Sequence, residues 1–197
     1  MKYGKRLRNE VERSLPEWRG EFISYKLLKK HLNLIDPAAS RARKRSRISI
    51  EDFLEAGNGR EDVNLMRVNI GFTRLLDEQL QKINRFYIEK EEDYVIQLQE
   101  LKDREANLES SMEMLNLQQD VLDFHGEMVS LLHYSFLNST GFMKIVKKHK
   151  KRAGSPNVQL SFMPRVLEQP FFSTDLLYNL MRECEAMLYR LFLAGEP

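Results

Sequence analysis

The sequence predicts an all-α chain, and three observations carry that prediction. The six prolines stand at positions 16, 37, 156, 164, 170 and 197, so the stretch 38–155 has none of the residue that breaks helix interiors. Across that stretch apolar residues recur at steps of three, four or seven, the seam of a long helix. No alternating apolar and polar run of useful length, the mark of a half-buried strand, occurs in the sequence.

Taken in order, residues 2–13 and 19–35 read as two shorter helices broken at Leu15-Pro16, with Trp18, Phe22, Tyr25, Leu28, Leu32 and Ile35 at helical spacing. Together, residues 1–35 make an N-terminal helical hairpin. Residues 36–62 hold a basic run and Gly57-Asn58-Gly59, and read as a variable linker. A first long seam then runs through Leu76, Leu80, Ile83, Tyr87, Tyr94, Leu98, Leu101, Leu108, Met112 and Leu115. A second follows at Leu117, Val121, Phe124, Met128, Leu131, Phe142 and Ile145, with Ser135 and Asn138 filling two of its positions. Two long helices joined near Ser110–Gln119 pack antiparallel, giving a long hairpin over 63–150. Over 156–193 the sequence predicts two small C-terminal helices. One starts near Met163-Pro164, and the other runs from a Ser173, Thr174, Asp175 cap through Leu176, Leu177, Leu180, Cys184, Met187, Leu188 and Leu191.

At 42% apolar and 30% charged residues, the composition fits neither a disordered nor a membrane-spanning class. A basic N-terminus without an apolar stretch behind it does not make a secretory signal, so the expected placement is intracellular. One cysteine, Cys184, can form no intramolecular disulfide and no zinc framework; on the apolar face of the last helix it reads as a buried structural thiol. His31, His125, His133 and His149 make no zinc-binding pair, and no phosphate-binding loop or nucleophile elbow appears. Glu-Glu-Asp at 91–93 reads as a solvated helix face rather than a cation site. The expectation is a binding protein, not an enzyme, with no cofactor and no metal.

Charge is the functional clue, because the net +2 conceals strong sorting. Residues 1–30 carry nine Lys/Arg against four Asp/Glu, residues 144–152 six bases and no acid, and residues 61–120 fourteen acids against seven bases. On a helix Lys144, Lys147, Lys148 and Lys151 fall within roughly 60° of one line, while Phe142, Ile145 and Val146 face the other way. A cationic last turn also complements the helix dipole. Tyr25 and Lys29, four residues apart on the second helix, add a phenol donor and an ammonium, with Lys26, Lys30 and Lys2 near in sequence. If the N-terminal hairpin packs across the end of the long one, these groups and the 144–151 stripe converge, which suits a compact ligand with many phosphates. Nucleic acid and phosphoinositide headgroups are the rival partners. Against the first, the stripe lacks interleaved aromatics for base stacking. Against the second, no apolar wedge stands beside the lysines.

Several ordered motifs resemble the SPX domain family: Met1-Lys-Tyr-Gly-Lys, Leu15-Pro-Glu-Trp-Arg, Ser24-Tyr-Lys-Leu-Leu-Lys-Lys, Asp123-Phe-His-Gly-Glu-Met, Asn138-Ser-Thr-Gly-Phe-Met-Lys-Ile-Val-Lys-Lys-His-Lys-Lys, and Gln169-Pro-Phe-Phe. They cover residues 1–35 and roughly 63–193, and are most similar to plant stand-alone members. The resemblance implies one domain over 1–197, a three-helix-bundle core and two small C-terminal helices. It implies a basic surface for inositol hexakisphosphate or an inositol pyrophosphate. By motif, Tyr25, Lys29 and Lys148 form the phosphate-binding cluster, Lys144, Lys147 and Lys151 the adjoining lysine surface, and Lys2 a further contact. In the stand-alone members the loaded domain captures Myb-type coiled-coil transcription factors and holds them off DNA. SPX domains also head transporters, polyphosphate polymerases and ubiquitin ligases, so a module from a larger protein is the alternative. The family often has an acidic residue where Lys150 stands, which makes this stripe more basic. The run Arg41, Arg43, Lys44, Arg45 and Arg47 resembles a nuclear localisation signal, implying nucleus as well as cytoplasm. No direct specific DNA binding and no membrane association are expected, and a homodimer is compatible with the reading.

Overall fold

A computed structural model describes residues 3–35, 59–153 and 157–193. Lys2 and the Arg41–Arg47 run lie outside them. The described residues form seven α-helices and no strand: α1 (Tyr3–Arg13), α2 (Tyr25–Leu32), α3 (Gly59–Ala106), α4 (Ser111–Ala153), α5 (Asn157–Leu167), α6 (Pro170–Ser173) and α7 (Asp175–Leu193). Short 3-10 turns sit at Pro16–Trp18 and Asn33–Ile35.

The two rods α3 and α4 dominate, 48 and 43 residues long, which at 1.5 Å per residue reach about 70 and 65 Å. Their seams meet as predicted: Leu76, Ile83 and Tyr87 from α3 and Val121, Met128, Leu131 and Ile145 from α4 are fully enclosed. The first seam stops earlier than its spacing implies, and Met112 and Leu115 are 67% and 57% exposed. The cause is a cap. Glu113 accepts the backbone N–H of Ser110 (3.2 Å) and of Glu109 (2.9 Å), while its own N–H donates to Ser110 Oγ (3.3 Å). This reciprocal capping box starts α4 at Ser111 and turns the corner at 107–110.

The N-terminal segment departs further from its periodicity. In place of a helix over 19–35, only Tyr25–Leu32 is α-helical, and residues 19–24 are irregular. Trp18 and Phe22 are buried nonetheless, packing edge-on with Phe86 and Tyr134, centroids 4.8–5.4 Å apart. Irregular backbone in a core needs hydrogen-bond partners. The rods supply them: Asn138 Oδ1 accepts Ile23 N–H (2.8 Å), Gln79 Oε1 accepts Ser24 N–H (2.8 Å), Lys82 Nζ donates to the carbonyls of Gly20 (2.8 Å) and Phe22 (2.7 Å), and the Tyr134 hydroxyl donates to that of Glu21 (3.0 Å).

At the other end α7 lies on α4, burying Leu177, Leu180, Cys184, Met187 and Leu191, while Leu176 stays 45% exposed. Burial lifts the Cys184 thiol to about 11, so it stays protonated in the core. α5 begins at Asn157, earlier than predicted, and carries Pro164 inside it. Pro164 removes only the donor to the Leu160 carbonyl, on an exposed turn. α6 ends at Thr174, held at φ 57° with its N–H on the Pro170 carbonyl (3.0 Å). Glu91, expected on a solvated face, is 6% exposed. Burial raises its pKa, opposed by the Leu177 N–H in the first turn of α7, where the helix dipole favours a carboxylate. Its neighbours Glu92 and Asp93 are exposed as expected.

Asn138→Ala leaves the buried Ile23 N–H without an acceptor. The expected cost is about 1–3 kcal/mol in urea unfolding, with hydrogen exchange accelerating at Ile23 and Ser24 before it does in the rods. Unchanged exchange at those two amides would show that the loop does not depend on this bond.

Candidate functional site

The clamped loop fixes where α2 starts, and α2 carries the site. Tyr25 is its first residue, and Lys29 stands one turn on. Tyr25 and Lys29 line a cleft of about 960 Å³ walled by α1 and by residues 19–29, with Lys148 contributed by α4. The structure therefore brings Tyr25, Lys29 and Lys148 together. Lys26, Lys5, Arg8 and Arg19 also line the cleft, and among the described residues no carboxylate does. The floor is apolar, formed by residues such as Leu7, Phe22 and Ile23.

Two close approaches set the cleft's shape. The Tyr25 and Tyr3 rings meet edge to face at 5.0 Å, and a Cβ on Gly4 would stand 3.3 Å from Tyr25 Cδ1, so Gly4 lets α1 lie against the phenol. On α4, a Cβ on Gly141 would stand 2.9 Å from Ile23 Cγ2 and 3.3 Å from the Tyr3 hydroxyl. Any larger residue there pushes the N-terminal segment away from α4. The Tyr3 hydroxyl donates to the Leu137 carbonyl (2.6 Å). Burial pushes the Tyr3 and Tyr25 pKa values up, so both phenols stay protonated and Tyr25 keeps a proton to donate.

The remaining stripe residues take a different place. Lys144, Lys147 and Lys151 are exposed on α4 beside the cleft rather than in its lining. Lys144 Nζ sits 5.2 Å from the centroid of the Tyr3 ring, a cation–π contact that links the stripe to the cleft wall. Opposite them, Phe142, Ile145 and Val146 are buried as the spacing predicted. His149, 2% exposed within the stripe, stacks on Phe72 of α3 (4.7 Å, 11° between planes) and meets Asn69 Oδ1 at 3.0 Å. It is an anchor of the basic end, not a member of the surface. Sequence reasoning left Lys5, Arg8 and Arg19 out of the site. Lys5 and Arg8 share a face of α1, but only the return of the chain through 19–24 shows that this face looks into the cleft.

Among the described residues, fold and cleft define an all-helical module with a recess lined by six cationic side chains. The sequence profile of the SPX domain matches residues 103–166. SPX domain-containing protein 1 of Arabidopsis thaliana is 47% identical over 198 residues, covering 100% of this chain and 73% of that protein. SPX domain-containing protein 2 of the same plant is also 47% identical, over 98% of this chain and 66% of its own length. The chain thus spans about two thirds to three quarters of these relatives. Among solved structures, the SPX domain of Chaetomium thermophilum glycerophosphodiester phosphodiesterase 1, in complex with inositol hexakisphosphate, superposes with a TM-score of 0.70 at 25% identity, covering 97% of this chain and 99% of that one. The chain belongs to the SPX domain family. No helix among the described residues is long and apolar enough to cross a membrane.

Burial lowers the His149 pKa from its ordinary 6.5. Below pH 6.5 the unfolded chain therefore binds a proton that the folded one resists, and stability falls as pH drops through that window. His149→Gln, which cannot titrate, should show a shallower decline between pH 7 and 5 in urea unfolding; an identical slope would remove His149 from the acid response.

Proposed function

We propose that this chain senses cellular phosphate status by binding inositol polyphosphates or pyrophosphates in the cationic cleft and, when loaded, binds and inhibits a Myb-type coiled-coil transcription factor. The observation that carries the ligand reading is the convergence of Tyr25, Lys29 and Lys148 in one cleft with further cations and, among the described residues, no carboxylate. Ammonium groups on flexible stems and a protonated phenol are donors without acceptor demand, which suits an anion crowded with phosphate oxygens. The cleft's volume is that of a site for one compact molecule, not a track for a polymer. The inositol hexakisphosphate held by the Chaetomium SPX domain supports the same ligand class here. Lys144, Lys147 and Lys151 extend the cationic surface beside the cleft, and Lys2 is a further ligand contact by motif. The Arg41–Arg47 run suits import into the nucleus, where such a transcription factor acts. Binding and release, not catalysis, is the activity assigned.

Calorimetry with orthophosphate, inositol hexakisphosphate and an inositol pyrophosphate tests the ligand. Orthophosphate should bind far more weakly than either inositol phosphate. Replacing Tyr25, Lys29 and Lys148 by Phe, Ala and Ala should cost about a hundredfold or more in affinity, near 2.7 kcal/mol, with the helical circular dichroism unchanged. Affinity should fall with salt, since screening shortens the reach of exposed charge to about 8 Å at 0.15 M. Wild-type affinity in the triple variant sinks the site.

The partner reading makes a separate demand. By linkage, the factor by which ligand tightens the transcription factor must equal the factor by which the transcription factor tightens ligand. Capture of a Myb-type factor should rise with inositol pyrophosphate, and the reciprocal titration should match. Equal capture with and without ligand leaves a constitutive scaffold.

A further inference from the structure

The cleft is longer than the cluster of Tyr25, Lys29 and Lys148. Helix α3 sets out from the basic tip, where its Asn69 meets His149 of α4, and runs away from it. The chain from Trp18 to Asn33 follows α3 in the opposite sense. Trp18 packs on Phe86, the Ser24 N–H reaches Gln79 seven residues nearer the tip, and Asn33 accepts from Arg152 at the tip itself. Seven helical residues span about 10 Å, so Arg19, next to Trp18, stands roughly that far from Ser24 and Tyr25, on the side away from the lysines.

Helix α1 bridges this interval. Gly4 lies against the Tyr25 ring, Arg8 stands about one turn further along α1, and one turn beyond it the Glu12 carbonyl accepts from Arg19 Nη2 (2.9 Å). Cations of the cleft thus occupy two ends, with Lys29 and Lys148 toward the tip and Arg8 and Arg19 beyond Tyr25.

The two ends differ in chemistry. An ammonium is a compact point charge, whereas a guanidinium presents a planar fork that takes two oxygens of one phosphate at once. Among the described residues no carboxylate lines the cleft, so neither guanidinium is neutralised from within it. Val11 and Phe22 line the same end, and an apolar wall screens a charge-assisted hydrogen bond less than water does. A Cβ on Gly20 would meet nothing within 4 Å, which leaves that end open to a group entering along the cleft.

Length selects the occupant. On an inositol ring centred on Tyr25, Lys29 and Lys148, a diphosphate arm reaches further toward the guanidiniums than a monophosphate, by one phosphoryl group. Its terminal phosphate adds charge and free oxygens that match a fork. Resting on the ligand reading above, we propose that Arg8 and Arg19 form a subsite for the diphosphate arm of an inositol pyrophosphate. The subsite sets a preference for pyrophosphates over inositol hexakisphosphate, while the lysines bind the ring phosphates common to both.

Calorimetry of the full chain compares inositol hexakisphosphate with a diphosphoinositol pentakisphosphate, which differs by one phosphoryl group. Wild type should bind the second about tenfold more tightly, the scale of one charge-assisted contact. Arg8→Gln with Arg19→Gln should bring the two affinities to within about twofold, costing hexakisphosphate itself only about threefold through lost long-range charge. Arg8→Gln alone, which leaves the Arg19 tie to α1 in place, should already lower the preference, with helical circular dichroism unchanged. Lys29→Ala should weaken both ligands by the same factor and keep the preference. The side-chain Nε–Hε resonances of Arg8 and Arg19 should shift with the diphosphate ligand more than with hexakisphosphate. Equal loss of both ligands in the arginine variants, or no preference in wild type, overturns the subsite and leaves the ligand reading standing. Unchanged affinities in those variants, as expected if the guanidiniums take a carboxylate of a protein partner, overturn it as well. Absence of binding by either ligand ends the ligand reading and the subsite together.

Discussion

A stretch of backbone without regular secondary structure, its Phe22 and Ile23 buried against two rods, is the constraint on which the site rests. Local backbone bonds serve only some of the peptide groups of residues 19–24, such as the Glu21 N–H on the Trp18 carbonyl (2.9 Å), and each group left unpaired in the core costs about 1–3 kcal/mol. Four side chains of α3 and α4 serve others: Gln79, Lys82, Tyr134 and Asn138. Because these side chains project from long, straight helices, the loop has one position relative to the rods, and Tyr25 at the start of α2 inherits it. Asn138 shows how closely this is drawn. Its amide oxygen serves the Ile23 N–H while its nitrogen donates back to the Tyr134 carbonyl at 2.9 Å, so both ends of one fully buried amide are used.

The second consequence of that position is electrostatic. Bringing the N-terminal segment onto α4 crowds cations that would otherwise stand apart on two elements. Like charges on a wet surface repel weakly, because water and salt screen them over about 8 Å. The cleft stays wet at its rim, so crowding costs little in the empty protein. The apolar floor stabilises the joint through Leu7, Phe22 and Ile23, and Arg19 adds a tie by donating to the Glu12 carbonyl of α1 at 2.9 Å.

How much of this was legible in the sequence depends on whether one element or two decide the outcome. The seam from Leu117 to Ile145 was legible, polar Ser135 and Asn138 included, because a helix buried along its length declares its face by spacing alone. The continuation through Met112 and Leu115 failed because periodicity does not register a capping box, although Ser110 and Glu113 stand at its spacing. Phe22 looks helical for a coincidental reason: it is buried by neighbours remote in sequence, and its carbonyl is held by Lys82 of α3, whereas Trp18 closes a short 3-10 turn held by local bonds. Glu91 was misplaced on the same ground, since only α7 arriving from eighty residues later covers it. Tyr25, Lys29 and the lysine stripe are legible from spacing and charge, and the family resemblance singles Lys148 out of the stripe, whereas Lys5, Arg8 and Arg19 needed the path of the chain.

The corner box at Ser110 and Glu113 has a consequence at the far end of the molecule. It sets Glu109 and Glu113 at one tip of a rod whose opposite tip carries Lys144 to Arg152, while Glu105 and Asp120 beside them are paired with Arg190 (2.7 Å) and Arg104 (2.6 Å). Charges of opposite sign held tens of ångströms apart on a stiff lever give the protein a large permanent dipole moment, whatever its small net charge. In the field of a multiply charged anion such a body experiences a torque before contact, and rotates its basic tip forward. The acidic corner, which touches nothing in the cleft, thus sets the orientation in which the molecule arrives.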